Sequence, residues 1–393
     1  MQDTLYLYFD GLEHPLRLTG CADLADDFPR IFPYRDYQQG DPDPAPLISI
    51  QHDADAYHLS TSWLDKTVSY TDRVDVLCDL IAKLAVARSF TDLETLYLHA
   101  AAVVINGRAV VFPSQYRAGK SVLTTCLVAE GHRYVGDDVF PVSLDSCKGH
   151  AAGFSPRLRL PLPDTTDEKS RQFIERHTSL TGKRYAYLDL GEALSVAQDA
   201  LLDIGAFILL EREEGVQAQL EQLPVATVFQ QLVKQNFARE IDGARILATL
   251  TQAVSNAQCA RLRYDRADDA VRLLTEHFAC WPTQADLVQF EPDIPASGAT
   301  TPEDIPDECF IRNRLVQKIG IEGENFLASP DGKAIYHLNQ IGSGIWELLA
   351  EPTSKEDVIA TLEMAFPETQ SSTIEKDVTK ILKRFQRKEL IRH

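Results

Sequence analysis

The stretch that most constrains the fold is Leu98-His-Ala-Ala-Ala-Val-Val-Ile-Asn-Gly-Arg-Ala-Val-Val-Phe-Pro-Ser-Gln-Tyr-Arg-Ala-Gly-Lys-Ser-Val-Leu123. Two apolar, largely β-branched runs, 102–105 and 109–112, flank Asn106-Gly107. That dipeptide supplies the two positive φ angles of a type I′ turn, so the runs are predicted to form a hairpin. The second strand then feeds a loop and a helix through Ala129, closed by Glu130-Gly131 with the glycine as left-handed cap. Strand, loop, Gly-Lys-Ser and helix are the context in which backbone N–H groups and a helix N-terminus cradle phosphates. In such a loop Lys120 reaches the β/γ oxygens and the Ser121 hydroxyl holds Mg²⁺. The nucleotide-binding candidates are Ser114, Gln115, Tyr116, Arg117, Ala118, Gly119, Lys120, Ser121 and Val122. One departure counts against this reading. Ser114 stands where G-x-x-x-x-G-K-S/T has its first glycine.

Downstream, His132-Arg-Tyr-Val-Gly-Asp-Asp-Val-Phe-Pro-Val142 reads as a short strand that delivers Asp137 and Asp138 side by side. A carboxylate at a strand end can ligate Mg²⁺ or take the proton of an attacking hydroxyl. The competing reading is that the pair simply closes a turn.

His99, the loop ending Lys120-Ser121, and Gly131-His-Arg-Tyr-Val-Gly-Asp-Asp138 together resemble the catalytic domain of HPr kinase/phosphorylase. They are closer still to the HPr-kinase-related proteins of bacterial peptide-modifying gene clusters. The resemblance covers roughly residues 90–280. It implies an ATP- and Mg²⁺-dependent serine kinase in which Asp137 is the base toward a serine hydroxyl. Asp138 and Ser121 would hold the metal, Lys120 would act on the phosphates, and His99 would lie beside them. A buried, hydrogen-bonded His99 is the competing reading. Arg157 and Arg159, in Arg157-Leu-Arg-Leu-Pro161, are candidates to steady the transferred phosphoryl group or the peptide, against the alternative of a solvated strand edge. The segment that mediates phosphorolysis in the bifunctional enzymes is not recognisable here.

Charge locates a boundary. The chain carries a formal charge of −19 over 393 residues, yet residues 310–393 hold twelve basic and twelve acidic side chains. The excess therefore lies in the first 309 residues. Just before the change runs Glu291-Pro-Asp-Ile-Pro-Ala-Ser-Gly-Ala-Thr-Thr-Pro-Glu-Asp-Ile-Pro306, with the proline and carboxylate content of a solvated linker. The predicted organisation is a β-rich region over 1–90, a kinase domain over 91–288, a linker over 289–308 and a small domain over 309–393. Within the first region, residues 71–89 place Val74, Leu77, Ile81, Leu84 and Ala85 at helical spacing. So acidic a chain repels phosphate backbones, which argues against nucleic acid as a partner. No run of 18 apolar residues exists to span a membrane, and the N-terminus lacks the basic-then-apolar pattern of a signal peptide. Seven scattered cysteines, an odd number with no C-x-x-C pair, indicate neither a zinc site nor a disulfide framework. The expectation is a cytoplasmic protein whose cysteines mostly fill the core. A homo-oligomer stays open.

In the last region, 316–321, 325–329 and 333–338 read as three strands, the last two joined by Pro330-Asp331-Gly332. Three helices follow. The first, 340–349, is predicted to bury Ile341, Ile345, Trp346 and Leu349. The second starts at a capping box, Ser354-Lys-Glu-Asp357, and buries Val358, Ile359 and Leu362. The third shows Ile374, Val378, Ile381, Leu382 and Phe385 on one face and is basic elsewhere. This is a winged-helix-like arrangement. The segment Leu338-Asn-Gln-Ile-Gly-Ser-Gly-Ile-Trp-Glu-Leu-Leu349 resembles the signature of PqqD-like domains. The resemblance implies recognition of the leader of a ribosomally made precursor peptide, added as a strand at a sheet edge beside the last helix.

The fold class expected is therefore α+β to α/β: an HPr-kinase-like core with a mixed sheet, a β-rich N-terminal region and a winged-helix-like, PqqD-type C-terminal domain. The function expected is phosphorylation of a Ser or Thr hydroxyl on a peptide recruited by residues 309–393. An ATP-gated peptide adaptor without catalysis and a small-metabolite kinase are the alternatives.

Overall fold

The structure, a computed structural model, describes residues 3–33, 36–113, 118–198, 200–238, 240–282 and 305–393. The expected loop residues Ser114, Gln115, Tyr116 and Arg117, and most of the expected linker, lie outside the described residues. The chain is a mixed α+β protein with several sheets, divided into two compact units. Unit 1 takes in residues up to Leu223, Gln231–Glu240 and Asn256–Val288. Unit 2 takes in Pro224–Gln230, Ile241–Ser255 and the C-terminal region from Gln289.

Unit 1 begins with a six-stranded sheet in the order Tyr37–Gln39, Thr4–Phe9, Leu16–Thr19, Ile48–His52, Tyr57–Thr61, Leu64–Tyr70. The helix Arg73–Thr91 packs against it. Asp72 caps this helix by accepting from the N–H groups of Val74 and Asp75. Its apolar stripe, Val74, Leu77, Ile81, Leu84 and Ala85, is buried with Leu7, Leu18, Ile50 and Leu59 of the sheet.

The second sheet of unit 1 carries the candidate site. Its order is Arg133–Gly136, Ala101–Ile105, Arg108–Phe112, Ile204–Arg212, Gln258–Tyr264, Gln219–Gln222. The hairpin forms as its turn chemistry requires, with Asn106 at φ 45° and Gly107 at φ 83°. Arg108–Phe112 and Gln258–Tyr264 run parallel to Ile204–Arg212, while the other pairings are antiparallel. In the middle of this sheet, positions 204–208 are buried without alternation, as parallel strands between covering layers are. The helix Lys120–Ala129 lays Leu123, Cys126 and Leu127 against Val103, Val110 and Phe112, beside Ala270 and Leu274 of Ala267–His277. Gly131 closes it at φ 106°. Two smaller sheets complete the unit: Phe140–Ser143 with Thr95–Leu98, and Arg157–Arg159, Tyr185–Leu188, Thr178–Thr181.

Unit 2 contains an antiparallel sheet of Gln317–Ile321, Glu324–Ala328 and Ile335–Leu338, and a second small sheet of Thr353–Ser354, Cys309–Arg312 and Ile391–Arg392. Three helices, Gln340–Leu348, Lys355–Ala365 and Ser371–Arg387, close a core of Ile345, Trp346, Leu349, Val358, Val378, Leu382 and Phe385. Ser354 accepts from the Asp357 N–H at 3.1 Å, the expected cap. Ile341 is not buried. It is 47% exposed, in the first turn of its helix. Ile359, Leu362 and Ile381 are only partly buried at the rim of the core. The segments 224–230 and 241–255 add to the other face of the first sheet: Phe229 meets Phe326 edge-on at 4.6 Å, and the Gly243 N–H donates to the Gly332 carbonyl at 2.7 Å. A Cβ at Gly243 would lie 3.1–3.3 Å from Gly332, Ala328 and Ile335, so glycine permits this approach.

All seven cysteines are free thiols. Only Cys21, Cys126 and Cys259 are buried, so core filling accounts for fewer of them than expected. No helix of the described residues is long and apolar enough to cross a membrane.

Candidate functional site

The helix Lys120–Ala129 starts from Gly119, whose φ of 91° is left-handed. A Cβ there would stand 2.6 Å from the Tyr264 hydroxyl, which is itself fixed in the core and donates to the Ala118 carbonyl at 3.4 Å. Glycine is thus required twice, by backbone conformation and by close approach. The turn places Lys120 at 7% exposure in the first helical turn. Burial pulls its ammonium below the usual lysine range, and the charges of Asp138 and Asp137 hold it up in part.

The carboxylate pair arrives from the edge strand Arg133–Gly136. A side chain at Gly136 would place its Cβ 2.7 Å from the Val139 carbonyl, so the chain turns back tightly here, and Asp137 and Asp138 beyond it lie near enough to act on Lys120, with Ser121 acting on Asp137. Asp137 is 5% exposed. Its Oδ2 accepts from the Arg157 backbone N–H at 3.2 Å, while Oδ1 is buried with no hydrogen-bond partner. Burial, and then the neighbouring Asp138 charge, raise its pKa to about 6, against opposition from Arg157 and the nearby Ser121 hydroxyl. The hydroxyls of Tyr134 and Tyr187 are also buried without partners, and both residues line the small cavity that reaches Asp137.

Asp138 is more open. Its Oδ2 pairs with Arg157 Nη2, and its Oδ1 stands 3.8 Å from His99 Nε2. His99 follows the strand Thr95–Leu98 and is fixed by its backbone N–H, which donates to the Gln235 carbonyl at 2.9 Å. Burial first, then Lys120 and Arg157, push its imidazole below the ordinary histidine value, with Asp138 opposing. Its side chain keeps 40% of its surface exposed, and its ring faces Asp138.

Arg157 links the parts. Its Nη1 donates to Cys78 Sγ, its Nη2 to Asp138, and its guanidinium lies 4.9 Å over the Tyr185 ring. Burial works against the cation, but Asp138 foremost more than restores it and holds the charge firmly. Arg159, two residues on, reaches the same ring at 5.5 Å and the Tyr185 hydroxyl at 3.4 Å.

His99, Lys120, Ser121, Asp137, Asp138 and Arg157 are therefore brought together, and Arg159 borders them. Val122 instead packs on the apolar core. Cys78, Tyr185, Tyr187 and Tyr264 join the site without a sequence signal that singles them out. Cys78 lies on a helix whose periodicity marks only core, and the tyrosines sit in strands where an aromatic residue reads as core.

Similarity to known proteins bears mainly on the C-terminal end. Residues 324–391 match the family described as Coenzyme PQQ synthesis protein D (PqqD). The C-terminal region is a PqqD domain. The structure titled "Structure of the Hpr(Ser) kinase/phosphatase from Coxiella burnetii" is similar at 12% identity, covering 47% of this chain and 90% of that chain. Its TM-score of 0.25 is too low to define a shared fold. No curated protein matches the chain.

Proposed function

We propose that this protein is an ATP-dependent kinase that phosphorylates a Ser or Thr hydroxyl of a ribosomally made precursor peptide held by its PqqD domain. The observation that carries the reading is Asp137: buried, titrating near 6, with one oxygen unpartnered, and next to Lys120 at the start of a helix that begins on a left-handed glycine. A carboxylate that titrates near 6 is ionised at pH 7–8 yet more basic than an ordinary one, which suits it to accept a hydroxyl proton. Structural ion-pair networks perturb carboxylates too, and turnover by an Asp137 variant separates the two cases.

Bound Mg·ATP would supply the phosphoryl group and neutralise its charge. Lys120 and the first N–H groups of its helix would hold the phosphates. Ser121 and Asp138 fit magnesium, which takes one or two protein oxygens and completes its shell with water and phosphate. Asp138 shares Oδ2 with Arg157, which leaves Oδ1, 3.8 Å from His99, as the oxygen a cation would take, with the Arg157 guanidinium beside it for the phosphoryl oxygens. His99 borders the same space as a hydrogen-bonding group.

The peptide-holding part rests on the PqqD domain and on an open sheet edge. Ile335–Leu338 pairs only with Glu324–Ala328 among the described residues, and Lys388 of the last helix lies 5.6 Å over the Tyr336 ring beside it. An extended leader adding there would meet main-chain groups on one side and a basic helix on the other. Docking would raise the local concentration of the acceptor hydroxyl.

Mass spectrometry of host peptides incubated with Mg·ATP and either wild type or Asp137→Asn tests the reading. A peptide that gains one phosphoryl group only with wild type supports it. Nucleotide binding with no shifted peptide would overturn it, and turnover of a metabolite pool would then separate a metabolite kinase from an adaptor.

A further inference from the structure

We infer that Arg157, Arg159 and Arg184, gathered around the ring of Tyr185, form a docking site for acidic side chains flanking the acceptor hydroxyl of the peptide; this rests on the kinase reading above. The three guanidinium carbons lie 4.9, 5.5 and 5.2 Å from the centre of one ring. Arg159 and Arg184 both donate to the Tyr185 hydroxyl, at 3.4 and 3.2 Å. The base of the cluster is rigid, because Tyr185 is 8% exposed and Arg159 pairs with it across two antiparallel strands. Arg157 and Arg159, two apart on one strand, point to the same face. Arg157 is bonded to Asp138, so the cluster begins at the carboxylate pair.

The chemistry of the cluster selects carboxylates. A guanidinium presents a planar fork of donors that matches a carboxylate, and an aromatic face beneath it holds the plane. Two carboxylates of the chain already use the cluster: Asp138 on Arg157, and Asp75 on Arg184 at 3.4 Å. Arg184 keeps 56% of its side chain in solvent, and the Asp75 contact is long, so a peptide carboxylate can displace it. The chain as a whole is acidic, at −19, and its far field repels an acidic peptide. Beyond about 8 Å that field is screened at physiological ionic strength, and local guanidinium groups decide the contact. Acidic flanks are thus read at the site itself.

The test uses full-length protein and short synthetic peptides that lack any docking segment, with Ser flanked by Asp/Glu, by Asn/Gln, or by Lys. Wild type should show at least a tenfold higher kcat/KM for the acidic peptide than for the neutral one. Arg184→Ala should remove most of that preference through KM, with KM for ATP unchanged, and Arg184→Glu should shift preference toward the Lys-flanked peptide. Equal turnover of all three peptides by wild type, or an unchanged preference in Arg184→Glu of native thermal stability, would overturn the inference and leave the kinase intact. Were no peptide phosphorylated, fluorescence anisotropy of the same peptides decides separately. Acidic-selective binding lost in Arg184→Glu supports the cluster, and no selective binding, or competition by inorganic phosphate alone, overturns it.

Discussion

Replacing Asp137 by Asn should stabilise unit 1 while abolishing phosphoryl transfer, and the two effects have one cause. The carboxyl titrates near 6 in the folded protein, against about 3.9 in an unfolded chain. Its folded pKa is raised, so below about pH 4 both states carry the proton and the group is neutral toward stability. As pH rises through 6, the buried side chain must ionise at an expense of roughly 1.36 kcal/mol per pKa unit, about 3 kcal/mol in all. The substituted amide avoids that expense. Its Oδ1 can keep the bond from the Arg157 N–H, but its Nδ2 then faces the position where the carboxylate oxygen now has no partner. An unsatisfied buried donor costs about 1–3 kcal/mol, so the net gain at pH 8 lies between about 0 and 2 kcal/mol, about 1 kcal/mol at mid-range. For a domain of this size the mid-range figure is roughly 2–4 °C in Tm. Differential scanning calorimetry at pH 8 and in steps down to pH 4 reads it directly. The variant should melt higher than wild type at pH 8, and the gap should shrink as pH falls through 6. The variant melting at or below wild type at pH 8, or a gap independent of pH, would refute the reasoning. Activity follows the opposite course: wild-type kcat/KM should fall about tenfold per pH unit below 6, where Asp137 is protonated.

Other outcomes follow from single contacts. Gly119→Ala should cost more than about 1 kcal/mol and abolish nucleotide binding, measured by calorimetric titration, and adding Tyr264→Phe should recover part of the loss by removing the hydroxyl that a Cβ meets at 2.6 Å. Arg157→Lys should lower kcat by about a hundredfold in a phosphoryl-transfer assay, since an ammonium cannot hold Asp138 and Cys78 together over the Tyr185 face. Ser354→Ala should destabilise the PqqD domain by about 1 kcal/mol, seen in urea unfolding, while unit 1 is unaffected.

The chain writes its local devices openly. Asn106-Gly107 dictates the hairpin because few other dipeptides tolerate two positive φ angles, and Gly131 ends its helix for the same reason. Ser354 caps a helix three residues ahead of Asp357. The stripe from Val74 to Ala85 faces a core. His99, Lys120, Asp137, Asp138 and Arg157 can be named as candidates because their residue types sit at the ends of elements whose own signals are clear.

What those candidates do to one another lies beyond the sequence. Asp137 titrates near 6 because of the depth at which the fold buries it and the orientation of Asp138, neither of which is a local property. Cys78 reaches Arg157 across 79 positions of chain, and Tyr185 becomes the floor of an arginine cluster only when two strands pair in one register. Residues 224–230 and 241–255 join unit 2, though they precede the acidic, proline-rich stretch that marks a boundary by composition. Composition reports how a segment meets water, and periodicity reports which face it buries. Which distant surface covers that face is decided only by shape and by what else is left unburied, and that is settled in three dimensions.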